Sequence, residues 1–306
     1  MKWKLAILSL LGLHASLAMA DFEKGTDEYQ RGNFASAIYE WRQSAEQGSA
    51  RSQFRLAEMY AQGKGTQKDL EKSQKWYRLA ADSGYAPAQM KLAEQYLSGD
   101  DNNTDPDPAM AARWYQQAAE QGEAKAQFQL ALLYLEGKGV KQNDTETAKW
   151  LEAAAKQDVV AAQNNLGSFY ENGRGVEQDY GEAIKWYRRA AQAGDAYAQN
   201  NLGAMYAQGK GVESNHAWAV FWFAMSAQQG NDVAAENISS SLEHLQASEV
   251  QVGTANIRAG NSTDHDIITK VQQGDTLRIL GSSDGWSQVY LPQQEGLGWI
   301  SSSLLE

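Results

Sequence analysis

Residues 162–194 read AQNNLGSFYENGRGVEQDYGEAIKWYRRAAQAG, and this stretch decides the fold. Small and apolar residues recur in it at helical spacing on both sides of a loop. The first set is Gln163, Leu166, Gly167 and Tyr170, and the second set is Ala183, Trp186, Tyr187 and Ala190. Between them, Gly173-Arg174-Gly175 supplies residues that can take positive φ and end a helix. The stretch therefore predicts two α-helices joined by a glycine-containing loop.

The same pattern recurs along most of the chain. Tryptophan forms one column, Trp41, Trp76, Trp114, Trp150, Trp186 and Trp222, whose members are 35, 38, 36, 36 and 36 residues apart. Two further columns keep step with it: Tyr60, Tyr96, Tyr134, Tyr170 and Tyr206, and Gly48, Gly84, Gly122, Gly194 and Gly230. A period in this range is typical of helix-pair repeats, in which a single unit has no core and stacking creates one.

The residues expected at the helix ends agree with this interpretation. Glycine-x-glycine loops recur at 63–65, 137–139, 173–175 and 209–211, and we interpret them as helix C-caps rather than phosphate-binding loops. An Asp or Asn stands seven residues before five of the tryptophans, at Asp69, Asp107, Asn143, Asp179 and Asn215. Each of these side chains is expected to cap the N-terminus of the second helix of its unit.

The motif A-x-x-L-[AG]-x-x-Y-x-x-G-x-G, followed by [DN] and then W-[YL]-x-x-A-A-x-x-G, resembles the Sel-one-like repeat family, which is related to tetratricopeptide repeats. The resemblance covers residues 21–247. It implies a right-handed α-helical solenoid of about six antiparallel helix pairs and a terminal helix, and a role as an adaptor in protein complexes. The first unit, 21–48, lacks the glycine loop and is expected to be a cap. The third replaces that loop with 99–106, and the fourth ends on Asp158 instead of glycine, which leaves its C-cap geometry open.

Beyond a polar, helix-like stretch at 237–247, the helical period gives way to short β-type runs. The runs are 255–258, 267–271, 276–280, 287–291 and 298–300, and turn residues lie between them. Five short strands predict a small β-barrel. The motifs Asn256-Ile257-Arg258, Gly274-Asp275, Asp284-Gly285-Trp286 and Gly298-Trp299-Ile300 resemble the bacterial SH3 family. This resemblance implies a small all-β SH3-like barrel at 250–306, of a kind that binds cell-wall peptide or partner proteins.

The N-terminus has the order of residues found in a secretory signal. Two lysines precede an apolar run over 5–13, and Ala18-Met19-Ala20 supplies a cleavage site. We expect cleavage after Ala20 to remove residues 1–20 as a signal peptide, which would make the mature protein periplasmic or secreted. The apolar run is far shorter than the ~20 residues of a spanning helix, so no membrane span is expected. The sequence contains no cysteine, so disulfides are excluded.

Charge and residue inventory argue against several functions. The formal net charge of −11 repels phosphate groups, so we expect no nucleic-acid partner. Beyond the signal the histidines are His216, His244 and His265, widely separated in sequence, and no zinc-binding or acyl-enzyme motif occurs. We therefore predict that the protein is not an enzyme and has no catalytic residue, metal or cofactor. We interpret Asp100-Asp101 as an exposed acidic loop rather than a calcium site, and assign no role to His265.

The first helix of each unit carries a candidate binding column. In tetratricopeptide-type superhelices the residue two before the packing leucine points into the concave face. This column reads Phe54, Met90, Phe128, Asn164 and Asn200. It is apolar at one end and amide-lined at the other, which suits an extended protein or peptide partner. The alternative is that these side chains pack against the next helix.

The barrel offers a second candidate surface. Trp286 and Tyr290, together with Trp299, can form an aromatic shelf for peptidoglycan or for a second protein. The alternative is that the two tryptophans are core residues, which leaves Tyr290 as the freer side chain of the SH3-like ligand face.

Two recognition modules on one chain favour tethering. The leading hypothesis is an exported, non-catalytic scaffold that mediates protein–protein interaction through its repeats. One alternative is a cell-wall enzyme, or a regulator or inhibitor of such an enzyme. Another is a secreted factor that acts on another organism, which would use the same export signal.

Overall fold

Helix pairs make up most of the structure, a computed structural model that describes residues 21–99, 105–294 and 296–306. The helices are α1 (21–30), α2 (Phe34–Glu46), α3 (Ala50–Gln62), α4 (Leu70–Asp82), α5 (Ala86–Ser98), α6 (Pro108–Glu120), α7 (Ala124–Glu136), α8 (Asp144–Ala155), α9 (Val160–Asn172), α10 (Tyr180–Gln192), α11 (Ala196–Gln208), α12 (His216–Ala227) and α13 (Asp232–Leu242). The predicted solenoid of helix pairs is confirmed. The predicted signal peptide and Asp100-Asp101 lie outside the described residues.

The predicted capping residues do begin the second helices. An oxygen of each side chain accepts a hydrogen bond from the backbone N–H three residues on, at 2.9–3.2 Å, in Asp69, Asp107, Asn143, Asp179 and Asn215. The backbone N–H groups of the same five residues donate to the carbonyls of Tyr60, Tyr96, Tyr134, Tyr170 and Tyr206. Each cap contributes about 1 kcal/mol to helix stability. The hydrogen bonds between the capping residues and the tyrosine carbonyls therefore hold the two ends of these five loops together.

The glycines of the loops have two different roles. Gly173 ends α9 with a left-handed φ of +64°. Gly139 lies against the start of α6, where a Cβ atom would come within 2.1 Å of the Pro108 carbonyl oxygen. Asp158, which replaces a repeat glycine, adopts the left-handed region at φ +63°, and its Oδ1 accepts a hydrogen bond of 2.7 Å from Arg189. The fourth pair therefore keeps its left-handed turn without glycine.

The chain divides into two compact units, one ending at Ala154 and the other covering Ala155–Glu306. Within each unit, alanines let neighbouring helices approach, and large side chains fill the layers between them. Trp41, Leu92 and Leu130 are buried in the first unit, and Leu166 and Phe223 are buried in the second. Among the described helices, none combines the length and the apolar character of a membrane-crossing segment.

Buried glutamines form a further column that was not predicted from the sequence. Each links the first helix of one pair to the second helix of the pair before it. Each side-chain amide donates to a backbone carbonyl eight residues earlier, at 3.1–3.2 Å: Gln53 to Ala45, Gln89 to Ala81, Gln127 to Ala119, Gln163 to Ala155 and Gln199 to Ala191. Carbonyls at a helix C-terminus have no partner within their own helix. Each of these carbonyls also accepts a bond from the backbone N–H three residues on, in the turn, so the glutamine adds a second bond that joins one pair to the pair before it.

All five predicted strands are present, and one more precedes them. The strands are β1 (Ala247–Glu249), β2 (Thr254–Arg258), β3 (Ile267–Gln272), β4 (Thr276–Ser283), β5 (Trp286–Leu291) and β6 (Gly296–Ser301), and they form one antiparallel sheet in the order β1-β4-β5-β6-β2-β3. Asp284 and Gly285 both have positive φ and form the tight turn between β4 and β5. The helix-like stretch predicted to reach Ala247 is corrected: α13 ends at Leu242, and Ala247 already pairs with Arg278 of β4.

Candidate partner-binding site

In the first compact unit the candidate column is apolar and half-buried. Phe54, Met90 and Phe128 lie at equivalent positions of α3, α5 and α7, and each keeps part of its surface exposed. The Phe54 ring packs edge-on against Tyr77 and Tyr85, with ring centroids 5.4 Å apart in both pairs. Phe54 and Met90 both pack against the core of the unit. Phe54 and Met90 therefore combine packing on neighbouring helices, as the alternative expected, with surface that a partner could cover, and Phe128 also keeps part of its surface exposed.

In the second compact unit the same column consists of asparagines bonded to other asparagines. Asn201 donates to Oδ1 of Asn164 at 3.1 Å, and Asn237 donates to Oδ1 of Asn200 at 3.0 Å. These bonds join α9 to α11 and α11 to α13. A partner would have to compete with them or use the remaining amide hydrogens. Asn164 and Asn200 thus stabilise the contact between successive first helices.

The barrel face is the part of the site where the structure corrects the sequence analysis. Tyr290 is only 7% exposed, and it packs with Val220 and Phe223 of α12 and Ile238 of α13. Tyr290, which was expected to be the freest of the three aromatic residues, is therefore buried against the last two helices of the repeats. Trp286 is half-buried, so it is the more accessible of the two residues of the predicted ligand face.

A signal for this contact was present in the sequence. Helix α12 reads HAWAVFWFAMSA and is apolar around its whole circumference. A helix of that kind is buried on more than one side, so something beyond α11 and α13 has to cover it. Arg278 of β4 adds a polar tie by donating to the Leu245 carbonyl at 2.9 Å.

Two histidines that are distant in sequence come together in the second unit. The rings of His216 and His244 stack with centroids 4.0 Å apart and an interplanar angle of 8°. Nδ1 of His216 is buried and has no hydrogen-bond partner among the described residues. Burial lowers the pKa of His216, and the adjacent His244 lowers it further. The described part of the chain contains no group of three or more His, Cys, Asp or Glu side chains placed to hold a metal ion.

The third histidine stands apart from this pair. His265 is exposed, its Nδ1 lies 2.9 Å from the Ser262 hydroxyl, and its backbone carbonyl accepts a hydrogen bond from Arg258. These contacts stabilise the loop between β2 and β3. They do not connect His265 to any of the candidate binding residues.

Comparisons with known proteins agree with both folds. Five consecutive segments, 50–85, 86–123, 124–159, 160–195 and 196–231, match the family described as Sel1 repeat. Residues 253–306 match the family described as bacterial SH3 domain. No similar protein was found among the curated proteins.

Solved structures of Sel1 repeat proteins resemble the repeat region. A Sel1 repeat protein from Oxalobacter formigenes is 30% identical with a TM-score of 0.64, and the match covers 72% of this chain and 90% of that one. The protective antigen c5321 of uropathogenic Escherichia coli, which displays an SLR fold, is 38% identical with a TM-score of 0.59. That match covers 68% of this chain but only 44% of the antigen, so the chain corresponds to less than half of it. The repeats and the SH3 domain support a protein-interaction scaffold.

Proposed function

The chain belongs to the Sel1 repeat family, and from that premise we propose that it is an exported, non-catalytic scaffold. In this proposal the repeats hold a protein or peptide, and the barrel binds either the cell wall or a second protein. Proteins of this repeat family generally act as adaptors, which supports the non-catalytic part of the proposal.

The observation that carries the proposal is the half-exposed apolar column of the first unit. Phe54, Met90 and Phe128 recur at one position of three successive repeats and stay partly open, whereas the packing leucines between them are buried. Large apolar side chains that become fully desolvated on binding contribute most of the energy of an interface. A regular row of them suits an extended peptide, whose side chains can enter at regular intervals.

The test of the repeat surface is a quantitative capture experiment with two charge-introducing variants. Phe128→Asp places a carboxylate in the column, and Tyr197→Asp, at a side chain that is 70% exposed outside the column, is the matched control. We expect Phe128→Asp to lower partner capture about tenfold or more, with helix content unchanged by circular dichroism, and we expect Tyr197→Asp to bind normally. Equal capture by the wild type and Phe128→Asp contradicts the proposal. Loss of helix content in Phe128→Asp assigns the residue to the core instead.

Two further measurements test export and the barrel. If residues 1–20 are a signal peptide, N-terminal sequencing of protein from the periplasm or medium should begin at Asp21. Sedimentation with purified sacculi should retain the wild type and lose Trp286→Ala if the half-buried Trp286 side chain of the barrel binds the wall. Retention of neither protein would leave a second protein as the ligand of the barrel.

A further inference from the structure

One core position is apolar in four of the five repeats over 50–231 and polar in the third helix pair. On α3, α5, α7, α9 and α11 the residue three after the packing leucine is, in that order, Met59, Gln95, Leu133, Phe169 and Met205. The four apolar members are at most 4% exposed. Gln95 takes their place on α5, and its Oε1 is buried without a hydrogen-bond partner among the described residues. Among these five helices, α5 therefore carries an unpaired acceptor where the other four have an apolar contact.

A cavity of about 360 Å³ lies beside this side chain, between α4 and α5. Gln95, Glu94 and Ser98 line it from α5, and Ser73 and Tyr77 line it from α4. Glu94, which lines the cavity, is exposed. The cavity thus adjoins the helix pair in which an amide replaces the apolar core residue.

The cavity lining contains several acceptors beside the donors of Gln74, Tyr77 and Lys91. The Ser73 hydroxyl donates to the backbone carbonyl of Ala57 at 2.8 Å, and the Ser98 hydroxyl donates to the backbone carbonyl of Glu94 at 3.1 Å. Each hydroxyl has one proton, so both present only lone pairs to a ligand. Glu94 adds a carboxylate. The terminal torsion of a glutamine is broad, so the Gln95 amide can turn to offer its unpaired oxygen to a donor in the cavity.

Lys91, the cation among the residues that line the cavity, forms only a weak ion pair. Lys91 also lines the cavity, but its Nζ lies 3.8 Å from the Glu94 carboxylate, and the two side chains are 45% and 55% exposed. An exposed pair at that separation contributes little. A ligand cation can therefore take the place of Lys91 beside Glu94 at small cost.

We propose that this cavity binds the side chain of an arginine in a peptide or protein partner. A guanidinium carries five N–H donors in one plane and no acceptor, so it can pair with the Glu94 carboxylate, the unpaired Gln95 oxygen and the serine hydroxyl oxygens of the lining. The aliphatic part of the side chain can lie along Leu70 and the Tyr77 ring, which also face the cavity. The formal net charge of −11 favours a basic partner. This assignment rests on the proposed function, since it names one side chain of the partner held by the repeats.

The test is calorimetric titration of the full chain with blocked tripeptides. The probes are Ala-Arg-Ala, the same peptide with uncharged citrulline in place of arginine, and spermidine as a free polyamine. We expect the arginine peptide to bind, and the citrulline peptide to bind about tenfold more weakly or worse, because it loses the charge-assisted hydrogen bonds. Equal binding of the citrulline peptide, or tighter binding of spermidine, overturns the assignment to an arginine side chain.

Variants of the cavity complete the test. Gln95→Met restores the apolar residue found in other repeats, so we expect it to fold with an unchanged or higher Tm and to bind the arginine peptide about tenfold more weakly. Glu94→Gln should also weaken binding, whereas Glu120→Gln, a carboxylate on α6 outside the cavity, should not. Wild-type affinity in Gln95→Met, or no binding by the wild type, overturns the proposal. If the arginine peptide fails while Phe128→Asp still loses its partner, only the cavity assignment falls.

Discussion

One position of the repeat has different chemistry in the two compact units. In the first unit it holds Phe54, Met90 and Phe128, which keep part of their apolar surface open. In the second it holds Asn164 and Asn200, whose side-chain oxygens accept hydrogen bonds from the next first helix. All five residues are half-buried, so the two units differ at this position in chemistry: apolar surface in one and hydrogen-bonded amides in the other. Equivalent positions of a repeat do not imply equivalent roles.

The aromatic residues of the barrel extend this comparison. Tyr290 is used internally, against Phe223 and Ile238 of the second unit, whereas Trp286 remains half-exposed beside the hairpin turn. Two aromatic residues of β5 thus differ in their exposure: Tyr290 is buried against the repeats, and Trp286 remains partly open. The proposed binding residues are therefore the bulky side chains that remain partly open, Phe128 and Trp286, rather than Asn200 and Tyr290.

The largest effect expected from breaking this arrangement is at Tyr290. Replacing it by alanine removes a buried ring from the cluster that covers α12 and α13, and truncating a buried aromatic side chain costs about 3–5 kcal/mol. The free energy of unfolding of the full chain, measured in urea, should fall by that amount in Tyr290→Ala. The half-buried Trp286→Ala is the matched control and should lose clearly less. Equal losses in the two variants would mean that the barrel does not depend on its contact with the repeats.

The local features of the fold could be predicted from the sequence because each depends on residues close together in the chain. The helix pairs follow from the spacing of Leu166, Tyr170 and Trp186, and the caps follow from single residues such as Asp179, whose side chain reaches a backbone N–H three residues away. The five strands follow from short β-type runs between turn residues. In each case a short segment contains both partners of the interaction.

The features that were missed join residues far apart in the chain. β1 is three residues long and exists because it pairs with β4. Burial of Tyr290 requires contact with α12, and stacking of His216 on His244 requires α13 to return beside the start of α12. Periodicity gives no information about such contacts. Only the all-round apolar character of α12 indicated that one of them had to exist.

A smaller effect is expected from breaking the asparagine bonds. Asn200→Ala leaves the Asn237 amide without its acceptor, and a lost hydrogen bond of this kind costs about 1 kcal/mol. The double variant Asn200→Ala/Asn237→Ala should cost less than the sum of the two single variants, since neither partner is then left unpaired. Gln192→Ala, at an exposed amide of α10, should change the unfolding free energy by less than about 0.5 kcal/mol. If the losses in unfolding free energy of the two single variants simply add in the double variant, the two asparagines do not interact, and the internal role assigned to this column is wrong.

The smallest effect expected is a dependence of stability on pH at the stacked histidines. Burial, and then the neighbouring His244, lower the pKa of His216 from its ordinary value of 6.5. The unfolded chain therefore binds more protons than the folded chain as pH falls below about 6.5, and stability rises with pH in that range. The contribution of His216 is fully present above the unfolded pKa and is lost as pH falls through the folded pKa.

Unfolding free energies measured between about pH 8 and pH 5 should fall less in His216→Phe than in the wild type, because phenylalanine stacks on His244 without titrating. His265→Asn, which changes an exposed imidazole, should keep the wild-type slope. A slope unchanged in His216→Phe would assign the acid sensitivity to other groups and would leave the stacked pair with a packing role alone.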